Sequence, residues 1–230
     1  MKLFLYICAV LCYTVSLGQG QKTYLVKPNA KILDVIPLEE IYLYPEFIQG
    51  TVTFRNNSAS NGRLNYNILL NEVQFIDKRG DTLSLAEEVT VRYVAVMKDT
   101  FYYSKGYVKQ LDGNVSVKLA EREFFKEFVQ KPSAYDMSSG ATAVNTISAI
   151  IVDRAYNLDI AQEVVLVKSK AFFLGNKYND FALANRKNIF RIFPDQKKEI
   201  TKFLDSERID FGKKQDMEKL LIFLEGLPMR

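Results

Sequence analysis

The sequence contains no histidine and no tryptophan, and its two cysteines, Cys8 and Cys12, both fall near the N-terminus. Without imidazole the commonest general base, the commonest metal ligand and every histidine-dependent triad are excluded. After Cys12 no thiol remains for nucleophilic catalysis, for Cys-ligated zinc or for an iron–sulfur cluster. Gly-rich phosphate loops, a Ser-x-x-Lys motif and a Gly-x-Ser-x-Gly elbow are also missing. The 31 Lys and Arg barely exceed the 27 Asp and Glu, so no nucleic-acid partner is expected without a clustered basic patch. What is present is 48% hydrophobic and 25% charged, the composition of a folded globular chain. These absences point away from an enzyme and call for no cofactor.

The N-terminus carries an address. Lys2 precedes an apolar run from Leu3 to Leu17, and Ser16-Leu17-Gly18 puts small residues where a signal peptidase needs them. A run of about 15 residues falls short of the ~20 that span a bilayer. Ile7 and Leu11, which precede the cysteines, are too large for a lipid-anchor site. Residues 1–18 therefore read as a signal peptide, and residues 19–230 as an exported, cysteine-free chain in the periplasm or at the outer cell surface. A chain of this length can bury enough apolar surface to fold without disulfides.

Residues 24 to 129 read as antiparallel sheet. Val52 and Phe54 alternate with Thr51, Thr53 and Arg55, while Leu64, Tyr66 and Ile68 alternate with Arg63, Asn65 and Asn67. The same period of two recurs through Val89 to Ala95 and Val115 to Leu119. Residues 56–62, Lys78-Arg79-Gly80-Asp81, Lys105-Gly106 and Asp112-Gly113-Asn114 supply turns. Connections this short join antiparallel neighbours, so a meander of about six to eight strands is expected, with one face open to water. Residues 132–145 are small and polar and read as a mobile loop. Residues 146–152 fit strand and helix equally well. Val164 to Leu174 returns as a strand.

From Asp180 the period becomes that of a helix. Helices are expected from Phe181 to Phe193 with Asp180 as cap, after Asp195, and from Lys214 to Leu224. The last places Met217, Leu220, Leu221 and Leu224 on one stripe. Strands followed by helices predict an α+β fold: a β-rich unit over 19–175 and a helical segment over 176–230, packed on or beside the sheet.

Tyr44-Pro45-Glu46-Phe47, Gln49-Gly50-Thr51-Val52, Leu64-Asn65-Tyr66-Asn67, Gln74-Phe75-Ile76 and Gly80-Asp81-Thr82-Leu83 together resemble an uncharacterised secreted family of Bacteroidetes-type bacteria. The helical end, from Asn185-Arg186-Lys187-Asn188 to Phe193-Pro194, is similar to the tail of the same family. The resemblance implies a Gram-negative envelope or secreted location and no catalysis. It transfers no site residues.

By parity Asn65 and Asn67 point away from Tyr66, onto the open face of the sheet. With Tyr102, Tyr103 and Tyr107 from later strands they form a candidate surface for a protein or glycan partner. Two other functions stand beside this one. A carboxylate-based hydrolase of cell-wall or dietary polymers needs two converging acids, one with a raised pKa. Glu39-Glu40 and Glu87-Glu88, if on strands, point to opposite faces. A lipid carrier needs a concave apolar sheet. Charge is uneven: residues 176–230 hold 12 basic and 9 acidic groups, residues 19–175 hold 18 of each. The basic helices, with Arg186-Lys187 and Lys197-Lys198, could therefore touch the envelope peripherally.

Overall fold

The computed structural model describes residues 22–129, 142–143 and 163–228. The expected signal peptide, nearly all of the expected loop over 132–145 and the ambiguous 146–152 stretch lie outside the described residues. The fold is α+β, an antiparallel sheet with C-terminal helices beside it. Its strands are β1 (Thr23–Val26), β2 (Ile48–Phe54), β3 (Ala59–Asn67), β4 (Glu72–Ile76), β5 (Thr82–Ser84) and β6 (Val91–Val96). They continue with β7 (Asp99–Tyr103), β8 (Tyr107–Gly113), β9 (Val117–Val129), β10 (Thr142–Ala143), β11 (Val164–Asn176) and β12 (Phe181–Leu183). Two short helices, α1 (Ile32–Val35) and α2 (Leu38–Ile41), precede β2, and α3 (Arg186–Ile192), α4 (Lys197–Ser206) and α5 (Lys214–Glu225) close the chain. Among the described residues no helix is long and apolar enough to cross a membrane.

The order is β1-β11-β9-β8-β7-β6-β2-β3-β4-β5, with β10 beside β9 and β12 beside β11. Two meanders, β2 to β5 and β6 to β9, thus meet along β2 and β6, and the sheet does not close. Its spine is the β9–β11 pair, in register from Val117↔Asn176 to Val129↔Val164. Local chemistry sets the turns. Asp77 Oδ1 accepts from the amides of Arg79 (2.8 Å) and Asp81 (2.9 Å), closing the β4–β5 hairpin. The Asp81 amide above all holds the Asp77 carboxyl below its usual range. The turn uses Asp for local bonding.

Two apolar clusters share one face of the spine. Val117 and Leu119 of β9 pack with Phe172 and Leu174 of β11 against α3 to α5. Phe125, Val164 and Leu166 belong to a larger core with Ile32, Ile36 and Ile41 of the α1–α2 segment. Between them, at Glu121 and Glu123, the apolar alternation of β9 is interrupted. These acids are paired, Glu121 with Lys109 at 3.0 Å and Glu123 with Lys170 at 2.7 Å. Lys168 joins Glu123 (3.7 Å) to Glu40 (2.9 Å), and Lys22 also binds Glu40. The band ties α2 to the spine.

Glu40 accordingly gains a pH dependence. The Lys22 hydrogen bond first, and Lys168 after it, hold its carboxyl below the usual range, against the opposing effect of burial. As pH falls the unfolded chain takes up this proton first, so the stabilisation is complete above about pH 4.5 and is lost through the lower folded value. Glu40→Gln is expected to cost about 1 kcal/mol at pH 7 and less at pH 2.5. Urea midpoints at the two pH values check this; equal losses at both would remove the ion-pair account.

The helices follow their stripes. Met217, Leu220, Leu221 and Leu224 of α5 are buried as the spacing requires. The expected helix over 181–193 is corrected. Phe181–Leu183 instead pairs as β12 with Phe173–Gly175, because β11 runs past β1 and leaves an edge open there. Gly175 makes room: a Cβ on it would sit 2.6 Å from the Phe181 ring. Helix α3 starts only at its cap Asn185, whose side chain accepts from the Asn188 amide at 2.9 Å.

Candidate functional site

The Asn pair has the expected parity but is not on an open face. Asn65 is 1% exposed and Asn67 4%. The chain from Tyr42 to Phe47 lies against this part of β3, paired at Tyr42↔Asn67 and bulging before β2 begins. Asn65 spans the bulge. Its Nδ2 donates to the carbonyls of Tyr44 (2.9 Å) and Glu46 (3.2 Å), and its Oδ1 accepts from the Tyr44 amide (3.1 Å). Asn67 Oδ1 accepts from the Leu70 amide at 3.0 Å, and its Nδ2 donates to Gln74 Oε1 at 3.2 Å. Buried amides must be satisfied, and these satisfy the backbone of a covered strand. Tyr107 is likewise corrected: it is fully buried in the main core. Of the five residues, Asn65, Asn67 and Tyr107 are unavailable to a partner.

Tyr102 and Tyr103 do border a groove. As neighbours on β7 they send their rings to opposite faces. Tyr102 packs on Phe181 (centroids 5.1 Å apart) and Tyr93 (6.4 Å), while Tyr103 meets Tyr107 edge-on at 5.3 Å. The groove, about 310 Å³, is completed by Arg55, Arg92, Lys177, Tyr178 and Asn179. Arg55 follows the register shift at Thr53/Phe54, which turns it toward the end of β6. Its Nε donates to the Val89 carbonyl at 2.9 Å. Arg92, on β6, donates through Nη1 to Asn57 Oδ1 at 3.0 Å. Both guanidiniums are thus steered by neutral acceptors.

The third wall is the turn from β11 to β12. Asn176 Oδ1 accepts from the amides of Tyr178 (2.9 Å) and Asp180 (3.1 Å), and Asn179 takes a φ of 62°, which Asn tolerates. This presents Tyr178, 70% exposed, with the Lys177 ammonium 5.2 Å from its ring centre. Asn179 Oδ1 is buried and has no donor. Among the described residues Arg55, Arg92 and Lys177 form no ion pair with a carboxylate. Unneutralised cations at the rim of a concave surface attract anions, the more so at low salt.

The carboxylates are otherwise employed. Glu39 and Glu40 lie on α2, where Glu40 belongs to the ion-pair band. Glu88 is the exception: burial first, then the charge of Glu72, raises its carboxyl above the usual range, although Tyr103 donates to it. Neither acid lines the groove. Among the described residues no three acids converge to hold a metal ion. The apolar face that a lipid carrier would leave hollow is filled by Ile32, Ile36 and Ile41.

Sequence reading found Tyr102 and Tyr103 and missed the rest. The Asn176-to-Asp180 turn carried a local signal, with Asx residues on both sides of Lys-Tyr. Its meeting with Arg55 and Arg92 depends on the succession of pairings from β11 through β9, β8, β7 and β6 to β2, which periodicity does not encode. Comparison with protein-family models, curated proteins and solved structures gives no match.

Proposed function

We propose that this is an exported, non-catalytic envelope protein that binds an anionic partner in the groove between β6, β7 and the β11–β12 turn. The observation that carries the reading is the convergence of Arg55, Arg92 and Lys177, none ion-paired among the described residues, beside Tyr102 and Tyr178. A hydrolase would draw on Glu88, whose carboxyl is raised and which touches Tyr103. It would need a second acid facing the same ligand, and Glu88 does not line the groove, whose charged residues are Arg55, Arg92 and Lys177.

The test is calorimetric titration at low ionic strength with dextran sulfate, with neutral dextran as control. Dextran sulfate is expected to bind and neutral dextran not. Arg55→Ala and Arg92→Ala are each expected to weaken binding about tenfold, the loss of one charge-assisted contact of about 1.4 kcal/mol. Arg79→Ala, in the β4–β5 turn, is expected to change nothing. Equal affinity in the Arg92→Ala variant and the parent would remove the groove as the site.

A further inference from the structure

The groove has a neighbour. A second hollow, about 420 Å³, lies on the other side of the β11–β12 turn and shares Lys177 and Tyr178 with the first. Its remaining lining is of mixed character: Ser116, Asn176, Asp180, Arg191 and Ile192. Tyr178 therefore stands as a partition between two unlike spaces. One is cationic, with Arg55 and Arg92; the other offers a hydroxyl, an amide, a carboxylate and one guanidinium.

Three features narrow the ligand. The cations of the first groove select an acidic group. Asn179, which lines the same groove, adds a neutral amide side chain beside them. A hydroxyl carried close to the acid pairs with such an amide. The second hollow extends this polar lining, since Asp180 accepts from hydroxyls while Arg191 and Lys177 keep it open to a further acid. Tyr178, exposed and braced by Lys177, offers an aromatic surface at the junction, suited to the C–H face of a sugar ring.

Resting on the anion-binding reading of the groove, we infer that the ligand is an acidic oligosaccharide lying across both hollows. An acid-bearing sugar sits at Arg55 and Arg92 with a hydroxyl on Asn179, the chain crosses Tyr178, and a following sugar presents hydroxyls to Asp180 and Asn176. Tyr178 and Asn179 are then binding residues of a glycan site. An acidic peptide has charge without a hydroxyl on every unit and fits the first groove only.

The experiment compares tetragalacturonate, galacturonate, neutral maltotetraose and tetraglutamate by calorimetry on the whole mature protein. Tetragalacturonate is expected to bind at least tenfold tighter than the other three. Tyr178→Ala is expected to erase the advantage of the tetramer over galacturonate. Asn179→Gly, which keeps the positive φ, is expected to weaken both uronates several-fold. Far-UV circular dichroism confirms that the variants fold. The inference is overturned if tetragalacturonate binds no tighter than galacturonate, if tetraglutamate matches it, or if Tyr178→Ala keeps the full advantage. Should both uronates fail while dextran sulfate still binds through Arg92, the glycan inference falls and the anion groove stands. Should dextran sulfate also ignore Arg92→Ala, both fall.

Discussion

Replacing Arg122 by Met is expected to destabilise the protein by about 3–5 kcal/mol, the cost of stripping a buried charge from its partners. Arg122 is 8% exposed, and its guanidinium lies 4.7 Å from the centre of the Phe173 ring. Strand β8 pairs with β9 only from Lys109↔Glu121 to Gly113↔Lys118, so the carbonyls that precede Lys109 have no ladder partner on β9. Arg122 replaces it. Its Nε donates to Tyr107 O at 3.0 Å, and its Nη2 donates to Ser104 O and Gly106 O, each at 2.9 Å. Met fills much of the same volume but supplies no hydrogen, so the Ser104 and Tyr107 carbonyls lose their Arg122 donor and Gly106 O keeps only the Ser104 amide, at 2.8 Å. Lys supplies a compact ammonium that cannot reach all three in the geometry of the fork, and Arg122→Lys is expected to recover less than half of the loss. Urea unfolding with an unchanged slope and a lowered midpoint is the expected signature. A loss below about 1 kcal/mol for Arg122→Met would show that water replaces the guanidinium freely.

The same turn shows what the sequence could and could not disclose. The Lys105-Gly106 turn was legible because glycine supplies the positive φ, and it is 100° here. The stripe of α5 and the inward set Leu64, Tyr66 and Ile68 were legible for the same kind of reason, since local periodicity decides which face is apolar. Parity said that Asn65 opposes Tyr66. It could not say that residues 42–47 return to cover that opposite face, because their pairing with β3 is a tertiary event. Phe181 to Leu183 defeated the helical reading for the converse reason. Three residues have too little periodicity to distinguish strand from helix, and an open edge on β11 decided the matter. The four-residue helices α1 and α2 carried no usable pattern. The groove was the least legible feature. Arg55, Arg92 and Lys177 look like solvated cations one by one, and only the β2–β6 bulge and the β11–β12 turn make them face one another.

Gly106→Ala is the second large effect, and its mechanism can be separated from simple strain. A Cβ at Gly106 would lie 1.9 Å from Asn71 Nδ2 and 2.8 Å from Asn71 Cγ. Asn71 is 4% exposed, and its Oδ1 accepts the Tyr66 hydroxyl, so the side chain cannot swing away without breaking that bond. The backbone adds its own cost, since an alanine at φ 100° is disfavoured by about 1–2 kcal/mol. Together these predict a loss of about 3–4 kcal/mol for Gly106→Ala. Asn71 itself adopts φ 58°, so Asn71→Gly is conformationally tolerated and costs chiefly the Tyr66 hydrogen bond, about 1–2 kcal/mol. With the amide gone the added methyl has space. The double variant is therefore expected to be more stable than the sum of the single losses by about 1–2 kcal/mol, a coupling measurable by a double-mutant cycle in urea. Strict additivity would mean that the backbone angle alone sets the cost. The consequence reaches the groove, because Tyr103 enters this turn and Ser104 Oγ donates to Phe181 O at 2.9 Å beside Tyr102. A turn loosened at Gly106 should thus also weaken dextran sulfate binding, although neither Gly106 nor Asn71 lines the groove.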